Sequence, residues 1–371
     1  MKMSVGVDLH KTQFTVFVLS EDRKVTESGL YPTSKKGYEA FLGKMKGLMM
    51  YQGYEITAAV ESTGNTRYFR NQLLEKGIGV KVVNTMKFKV VTESVKKTDK
   101  RDARTLAEFL EKDMLPESIL CSQESEEIRR VIKSRSILVK ALVSLKNQVH
   151  GLLMGYGIES RRGQLQSKKE RQRILCGLED HRSCGNAAIA VKPLLASIDQ
   201  IASEIKCLEK VLAELVAEDE DVELLQTIPG VGLITAATIR AYTDDINRYE
   251  SAKRYTAHAG LVPWVQNSNE TIRHGHITKR GPVELRTAYV QVVMGMLRYR
   301  KVTGDYRVIT KYEKMKKHKG TGKSIIATAR KISTITYAIL KSREPFDQTK
   351  MTLVRKKADP VPSEKPLALV A

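Results

Sequence analysis

Four acidic residues have the type and placement that phosphoryl-transfer chemistry needs: Asp8, Glu61, Asp99 and Asp102. Asp8 closes the apolar run Val5-Gly6-Val7, and Glu61 closes Ile56-Thr57-Ala58-Ala59-Val60. Asp99 and Asp102 stand in Lys97-Thr98-Asp99-Lys100-Arg101-Asp102-Ala103, at the mouth of a helical pattern. Carboxylates on two strand ends and a helix start can converge on one point in a sheet-plus-helix fold. Such an all-oxygen set suits Mg²⁺ or Mn²⁺ and not zinc. Two ions of this kind stabilise the attacking and leaving oxygens of a phosphoryl group. The bland alternative is that strands often end in acids and that Asp-x-x-Asp supplies an N-cap and favourable first-turn charge. Against it, Asp102, Leu106 and Phe109 share a helix face, with Asp99 seven residues before Leu106. Both carboxylates are therefore expected along the stripe that packs on the sheet, where a buried acid requires a metal or a cationic partner. Lys11, Arg67, Lys97 and Arg101 flank the set and offer phosphate contacts, or are ordinary surface charge.

The balance of charge points the same way. The chain has 371 residues and a net charge of +21, from 63 Lys+Arg against 42 Asp+Glu. Lys and Arg displace counterions from phosphates, so a nucleic acid is the expected partner, with an anionic membrane face or a merely soluble basic surface as alternatives. Cys121, Cys176, Cys184 and Cys207 include no C-x-x-C pair, which reads as reduced thiols and argues against a zinc site or a disulfide framework. Met1-Lys2-Met3 leads straight into a strand pattern without a signal peptide, and no apolar run reaches the ~20 residues of a membrane span. Val290–Leu297 is too short. The expected location is the cytoplasm, in association with the nucleoid.

The elements that must position these residues can be read in order. Residues 4–10, 13–19 and 24–31 are expected to form three meandering strands joined by tight turns. Ser34 opens a helix to about Met49, Ile56–Val60 is a fourth strand, Asn65–Lys76 is a helix closed by Gly77, and Val80–Val83 is a fifth strand. The order β-β-β-α-β-α-β-α is that of a ribonuclease H-like sheet. Residues 124–156 carry apolar side chains at coiled-coil spacing, from Ile128 and Ile132 to Leu152 and Leu153, with basic residues between. Ser160–Lys169 is a polar turn, and Ala187–Ala217 is again a long amphipathic helix. Two such helices imply an antiparallel arm used for spacing or for bringing subunits together. Leu224–Gly232 followed by a small-residue helix from Leu233 is a helix–Gly-turn–helix. Gly230 and Gly232 there permit close backbone approach, with free N–H groups offered to a phosphate or a plain helix corner as the alternatives. Residues 251–300 read as helix, loop and helix, followed by basic and amphipathic helices over 306–318 and 323–340. The tail from about Glu344, with Pro360, Pro362 and Pro366, is expected to be disordered. The expected architecture is thus α/β plus all-α. A RuvC-like, ribonuclease H-like domain spans 1–115, a helical coiled-coil arm 116–219, a mostly helical C-terminal domain 220–343, and a tail 344–371.

Within the loop of the C-terminal domain lies Ser268, in a polar stretch followed by Arg273, His274, His276, Lys279 and Arg280. A serine there is usually a turn residue, and the less common reading is a nucleophile. The basic cluster binds a phosphate backbone in either case. Arg273, Lys279, Arg280, Lys314, Lys316 and Lys317 are the expected nucleic-acid contacts of this domain, and Trp264 either sits in the core, the expected reading, or stacks on a base.

Six segments together resemble the insertion-sequence DEDD transposases, which join a RuvC-like domain to a serine-bearing C-terminal domain, and resemble the pilin-inverting recombinases as well. They are Gly6–Lys11, Glu61–Gly64, Lys97–Ala103, Pro229–Gly232, Gly260–Pro263 and Ile277–Gly281, in the family's order over about residues 4–300. The resemblance implies that Asp8, Glu61, Asp99 and Asp102 are the metal-binding catalytic acids and Ser268 the nucleophile. This chain has Ser268-Asn269 where the family has Ser-Gly, and Thr271 is the nearest other hydroxyl. The resemblance further implies transposition by cutting and rejoining DNA through a serine–DNA intermediate. It also implies a structured guide RNA and a homo-oligomer, a dimer or a tetramer in the synaptic complex. A Holliday-junction resolvase or structure-specific nuclease would need the acids and water but no serine, and a non-catalytic nucleic-acid-binding protein would need neither.

Overall fold

The computed structural model describes residues 1–22, 26–91, 99–161, 163–180, 187–268 and 271–352, and the expectation for the tail lies largely outside them. The chain divides into two compact units, Met1–Cys121 and the remainder from Ser122.

In the first unit, apolar, β-branched and aromatic runs produce β1 (Lys2–Leu9) and β2 (Gln13–Ser20), and the more polar β3 (Thr26–Pro32) follows, all three joined as an antiparallel meander. Ser34 accepts a hydrogen bond from the Gly37 amide and so opens α1 (Lys35–Gln52), and Gly53 closes it at φ 67°. β4 (Glu55–Glu61), α2 (Thr66–Leu74) and β5 (Gly79–Val83) follow, with α3 (Thr85–Val91) and α4 (Asp99–Glu111) after them. β4 runs parallel to β1, and β5 parallel to β4, in the order β3-β2-β1-β4-β5. The strands β1 and β4 are near-continuous apolar runs because both faces of the sheet are covered. α1 and α2 pack on one face through Phe14, Phe41, Phe69 and Tyr38. On the other face lies α4, through Ala103, Leu106 and Ala107.

The second unit opens with α5 (Gln123–Gly155), a 3₁₀ turn at Gln164–Gln166, α6 (Lys168–Asp180) and α7 (Ala187–Leu215). The two long helices are antiparallel. Ile128 and Ile132 share a core with Leu212 and Val216 at one end. At the other end Val149 and Leu153 meet Ala187, Val191 and Leu195. The arm expected from periodicity is present, but the segment between its helices contains more than a turn. α6 folds against the tip through Ile174, Leu175 and Leu178, and the buried Arg171 side chain donates to Leu165 O and Asp199.

Then come α8 (Glu220–Gln226), α9 (Leu233–Thr243) and α10 (Ala252–His258). They are followed by β6 (Pro263–Ser268), β7 (Thr271–Ile277), α11 (Val283–Arg298), α12 (Arg300–Thr303) and α13 (Arg307–Ser342). α13 is two helices merged across a kink at Gly320, close to the expected pair over 306–318 and 323–340. One core joins α8–α11, α13 and the start of α5. Among the described residues no helix is long and apolar enough to cross a membrane.

Two expectations are corrected here. The segment between α10 and α11 is not a loop: β6 and β7 form a two-stranded hairpin, with Ser268 paired to Thr271. Trp264 is not in the core but is 50% exposed, against Gly275 on the facing strand.

Candidate metal centre and nucleic-acid interface

The acidic site begins with strand register. Val7 of β1 pairs with Val60 of β4 in the parallel ladder. The next residue on each strand is Asp8 and Glu61, so the two acids occupy neighbouring strand ends with their side chains on the same face of the sheet. Gly6, two residues before Asp8, lies on that face too, and α4 crosses directly over it. A Cβ on Gly6 would stand 1.9 Å from Ala103 O and 2.5 Å from the Ala107 amide nitrogen. Only glycine lets the helix backbone descend this far. The contact brings the first turn of α4, which carries Asp99 and Asp102, toward Asp8.

The tightest cluster is Asp8, His10 and Asp99, whose nearest ligand atoms all lie within 4.8 Å of one another. His10 Nε2 is 3.2 Å from Asp8 Oδ2 and 3.6 Å from Asp99 Oδ2. The Asp8 side chain is largely buried, with 16% exposed. Burial raises its pKa, His10 opposes that shift, and the negative charges of Asp99 and Asp102 raise it further. Three carboxylates thus converge where Asp8 can least tolerate them, which is a donor set and a charge imbalance that a divalent cation fits. Glu61 is part-buried at the end of β4, where its carbonyl accepts from Thr66 Oγ1, and its carboxylate lies outside the tight cluster.

The expected burial of both helix acids holds only in part. Asp102 is part-buried, but Asp99 is 53% exposed. The sheet contact starts at Ala103 above Gly6, so Asp99 sits a turn beyond the end of β1. Nor does Arg67 stand free for a phosphate: its guanidinium donates to the Cys121 carbonyl and lies 3.3 Å from Cys121 Sγ. Lys11 and Arg101 are exposed, and Lys97 falls outside the described residues. His10 was not among the expected site residues. The signal was available: in the expected strand over 4–10, Asp8-x-His10 puts both side chains on the same face.

In the second unit the two turn glycines part company. Gly230, at φ 86°, is packed against α11, where a Cβ would stand 2.8 Å from the Met296 nitrogen and 3.0 Å from Gly295 C. It is packed at a helix crossing, which accounts for the glycine by the plainer of its two readings. Gly232 caps α9 with open space around its α-carbon, leaving the first amides of that helix accessible. Arg273 lies on β7 opposite Gln266. Lys279 (φ 53°) and Arg280 form the turn after β7, held by Gly260 and Gly281. The Lys279 carbonyl also accepts a 3.2 Å bond from Arg286 Nη1. Lys314, Lys316 and Lys317 are exposed on the first half of α13.

Two family models match the chain. Residues 5–158 match a DEDD transposase model of the IS110 type, and residues 222–307 match the "Transposase IS116/IS110/IS902 family" model. The chain is 25% identical to the transposase for insertion sequence element IS1111A of Coxiella burnetii over 77% of its own length and 78% of that protein's. It is 26% identical to the transposase for insertion sequence element IS1328 of Yersinia enterocolitica, over 65% and 72%. It is 34% identical to the pilin gene-inverting protein of Moraxella lacunata over shorter spans, 34% and 38%. The first model covers all four acids and the second covers the turn glycines, the hairpin and Lys279–Arg280, in one order along one chain, so the chain belongs to the IS110/IS116 family of insertion-sequence transposases.

Proposed function

We propose that this transposase cuts and rejoins DNA at a metal-dependent site built from Asp8, Glu61, Asp99 and Asp102 on a RuvC-like domain, with Ser268 as the nucleophile. The observation that carries the reading is the convergence of Asp8, His10 and Asp99 under the field of Asp102, inside the segment matched by the DEDD family. Bound Mg²⁺ or Mn²⁺ supplies Lewis-acid stabilisation of the phosphoryl oxygens. The four acids would hold the cation, with His10 fixing the orientation of Asp8. Ser268 Oγ attacks phosphorus and gives up its proton. An Oγ–P bond forms, one P–O bond of the DNA breaks, and the released hydroxyl takes a proton. Attack by a hydroxyl of a second strand reverses these changes, rejoins DNA and frees the serine.

Asp8 and its partners belong to the first unit and Ser268 to the second. A homo-oligomer, with acids of one subunit serving the serine of another, suits the helical arm. Guidance by a structured RNA belongs to the same proposal and rests on the family resemblance. The decisive experiment incubates the protein with a nicked suicide substrate and Mg²⁺, then maps any protein–DNA adduct by peptide mass spectrometry. A Ser268 peptide bearing a nucleotide is expected, and Ser268→Ala should abolish both adduct and joining while thermal unfolding stays within about 0.5 kcal/mol of wild type. Modification at Thr271, or normal joining by Ser268→Ala, removes Ser268 from the mechanism. Mg²⁺-dependent cleavage without any adduct would identify a nuclease that uses water.

A further inference from the structure

The second unit contains a cleft of about 820 Å³ that none of the expected roles accounts for. One wall is the end of β7 and the turn after it, and the other is α13 on both sides of its kink. Its floor is aliphatic, with Leu261, Ile277, Val308, Met315 and Ile326 prominent. Its rim is cationic: Lys279, Lys311, Lys319, Lys323, Arg330 and Lys331. No acidic residue lines it, and none of the six cations is ion-paired with a carboxylate among the described residues. The surrounding sequence is equally one-sided, since residues 251–350 carry 21 Lys+Arg against 6 Asp+Glu. Of the six cations expected from sequence to contact nucleic acid in this domain, only Lys279 lines the cleft.

Shape, floor and rim select among polyanions. A volume of this size lies in the range of sites that enclose a small organic group, roughly 300–1,000 Å³. A nucleic-acid duplex presents phosphates outward and keeps its base faces stacked, so it can meet the rim but leaves the aliphatic floor uncovered. An unpaired nucleotide has both parts, a phosphate for the lysines and an exposed base for the apolar surface. Of the lining hydroxyls, Thr328 donates to Ser324 O and Thr334 to Arg330 O, which leaves His276 as the main side chain able to read a base edge, so discrimination between bases should be weak. The kink shapes the opening. Gly320 takes φ 75° and ψ 168°, which favours glycine, and its neighbours Lys319 and Gly322 both line the cleft.

We propose that this cleft binds an unpaired segment of nucleic acid, holding a base on the Ile277–Ile326 floor and the adjoining phosphates on the Lys279–Lys331 rim. The proposal goes beyond the cleavage chemistry and does not depend on it. The experiment is therefore done on the full-length protein in EDTA, where cleavage is excluded. Fluorescence anisotropy compares a labelled single strand with a blunt duplex of the same sequence, for wild type, for Lys323→Ala/Lys331→Ala and for Ile326→Gln. Thermal unfolding is recorded for each. The lysine pair is expected to weaken single-strand binding at least 10-fold more than duplex binding. It should also flatten the single-strand salt slope by about 0.7 per phosphate contact removed. Ile326→Gln should reduce single-strand affinity with an unchanged salt slope. 2-Aminopurine placed in the strand should change in fluorescence on wild type and not on Ile326→Gln. Equal losses for strand and duplex, or no loss in the lysine variant, would overturn the proposal while leaving Ser268 and the acids untouched.

Discussion

At the scale of single residues, Asp8 is the position where the proposed function and stability oppose each other. Its carboxylate is held near two others because the sheet and α4 leave it no alternative, and burial with the charges of Asp99 and Asp102 raises its pKa. A raised carboxylate pKa means the folded protein binds the proton more tightly than the unfolded chain. The metal-free fold therefore loses stability as pH rises from the ordinary value of 3.8 through the folded pKa, and at pH 7 that penalty is fully present. Asp8→Asn removes the charge and keeps the shape. We expect it to raise the melting temperature of the metal-free protein at pH 7, with the gain shrinking as pH falls through the raised folded pKa and gone below pH 3.8. Cleavage should fall by about 100-fold or more, since even partners that only orient a metal ligand cost about 10–100-fold. DNA affinity in EDTA should be unchanged. A fall in melting temperature at pH 7 would show that the convergence of charge is absent in solution, and undiminished cleavage would remove Asp8 from the site.

At the scale of elements, the site depends on how closely α4 lies on β1. Gly6→Ala places a Cβ inside the helix backbone, and this overpacking should cost about 1–3 kcal/mol. The helix must lift, carrying Asp99 and Asp102 away from Asp8, so the metal concentration needed for half-maximal cleavage should rise. A Gly6→Ala protein with wild-type melting and metal response would refute this account. A second element contact is made by Asp244 at the end of α9, which accepts hydrogen bonds from Ser122 N at 3.0 Å and from Ser122 Oγ and Ser125 Oγ at 2.7 Å each. Burial pushes its pKa up, but these bonds and Arg248 more than offset that, so the net shift is downward. The stability this contributes is present above pH 3.8 and is lost as pH falls through the lowered folded pKa. Asp244→Ala should destabilise the second unit by about 1–3 kcal/mol at pH 7, with the difference from wild type narrowing in acid, as chemical denaturation across pH would show. Most elements were legible because their side-chain pattern is local: the apolar runs of β1 and β4, the β-branched and aromatic run of β2, the Ser34 cap, and the spacing of α5 and α7 all survive in the sequence. The hairpin was not. Gln266, Asn267, Thr271, Arg273 and His274 give β6 and β7 no apolar alternation, and the intervening sequence Asn269-Glu270 contains no glycine to signal a hairpin. α6 was missed for a related reason, since Ile174, Leu175 and Leu178 are too few to show a period. The acids were legible by type and order, whereas the exposure of Asp99 and the nearness of His10 depend on where the sheet ends, which no spacing within α4 reveals.

At the scale of the whole molecule, the positive charge is unevenly shared. Residues 1–121 carry 20 Lys+Arg against 15 Asp+Glu, while residues 122–371 carry 43 against 27. The unit with the acidic site is thus nearly balanced, at +5, and the second unit holds +16 of the net +21. That division has a physical logic. A surface dense in cations beside three converging carboxylates would neutralise them and compete with a metal, which favours placing the excess cationic charge on the other unit. The first unit has its own apolar cores and is closed by β5 and α4, so residues 1–121 alone should unfold cooperatively. Counterion release then separates the two. Log affinity of the full chain for DNA should fall steeply with log salt, at about 0.9 per phosphate neutralised. The 1–121 fragment should bind at least 10-fold more weakly at 0.1 M salt, with a much shallower slope, while keeping any response of its thermal unfolding to Mg²⁺ or Mn²⁺. Titrations of both proteins over 50–300 mM salt make the comparison, and equal slopes would mean that the DNA is gripped by the unit that carries the acids.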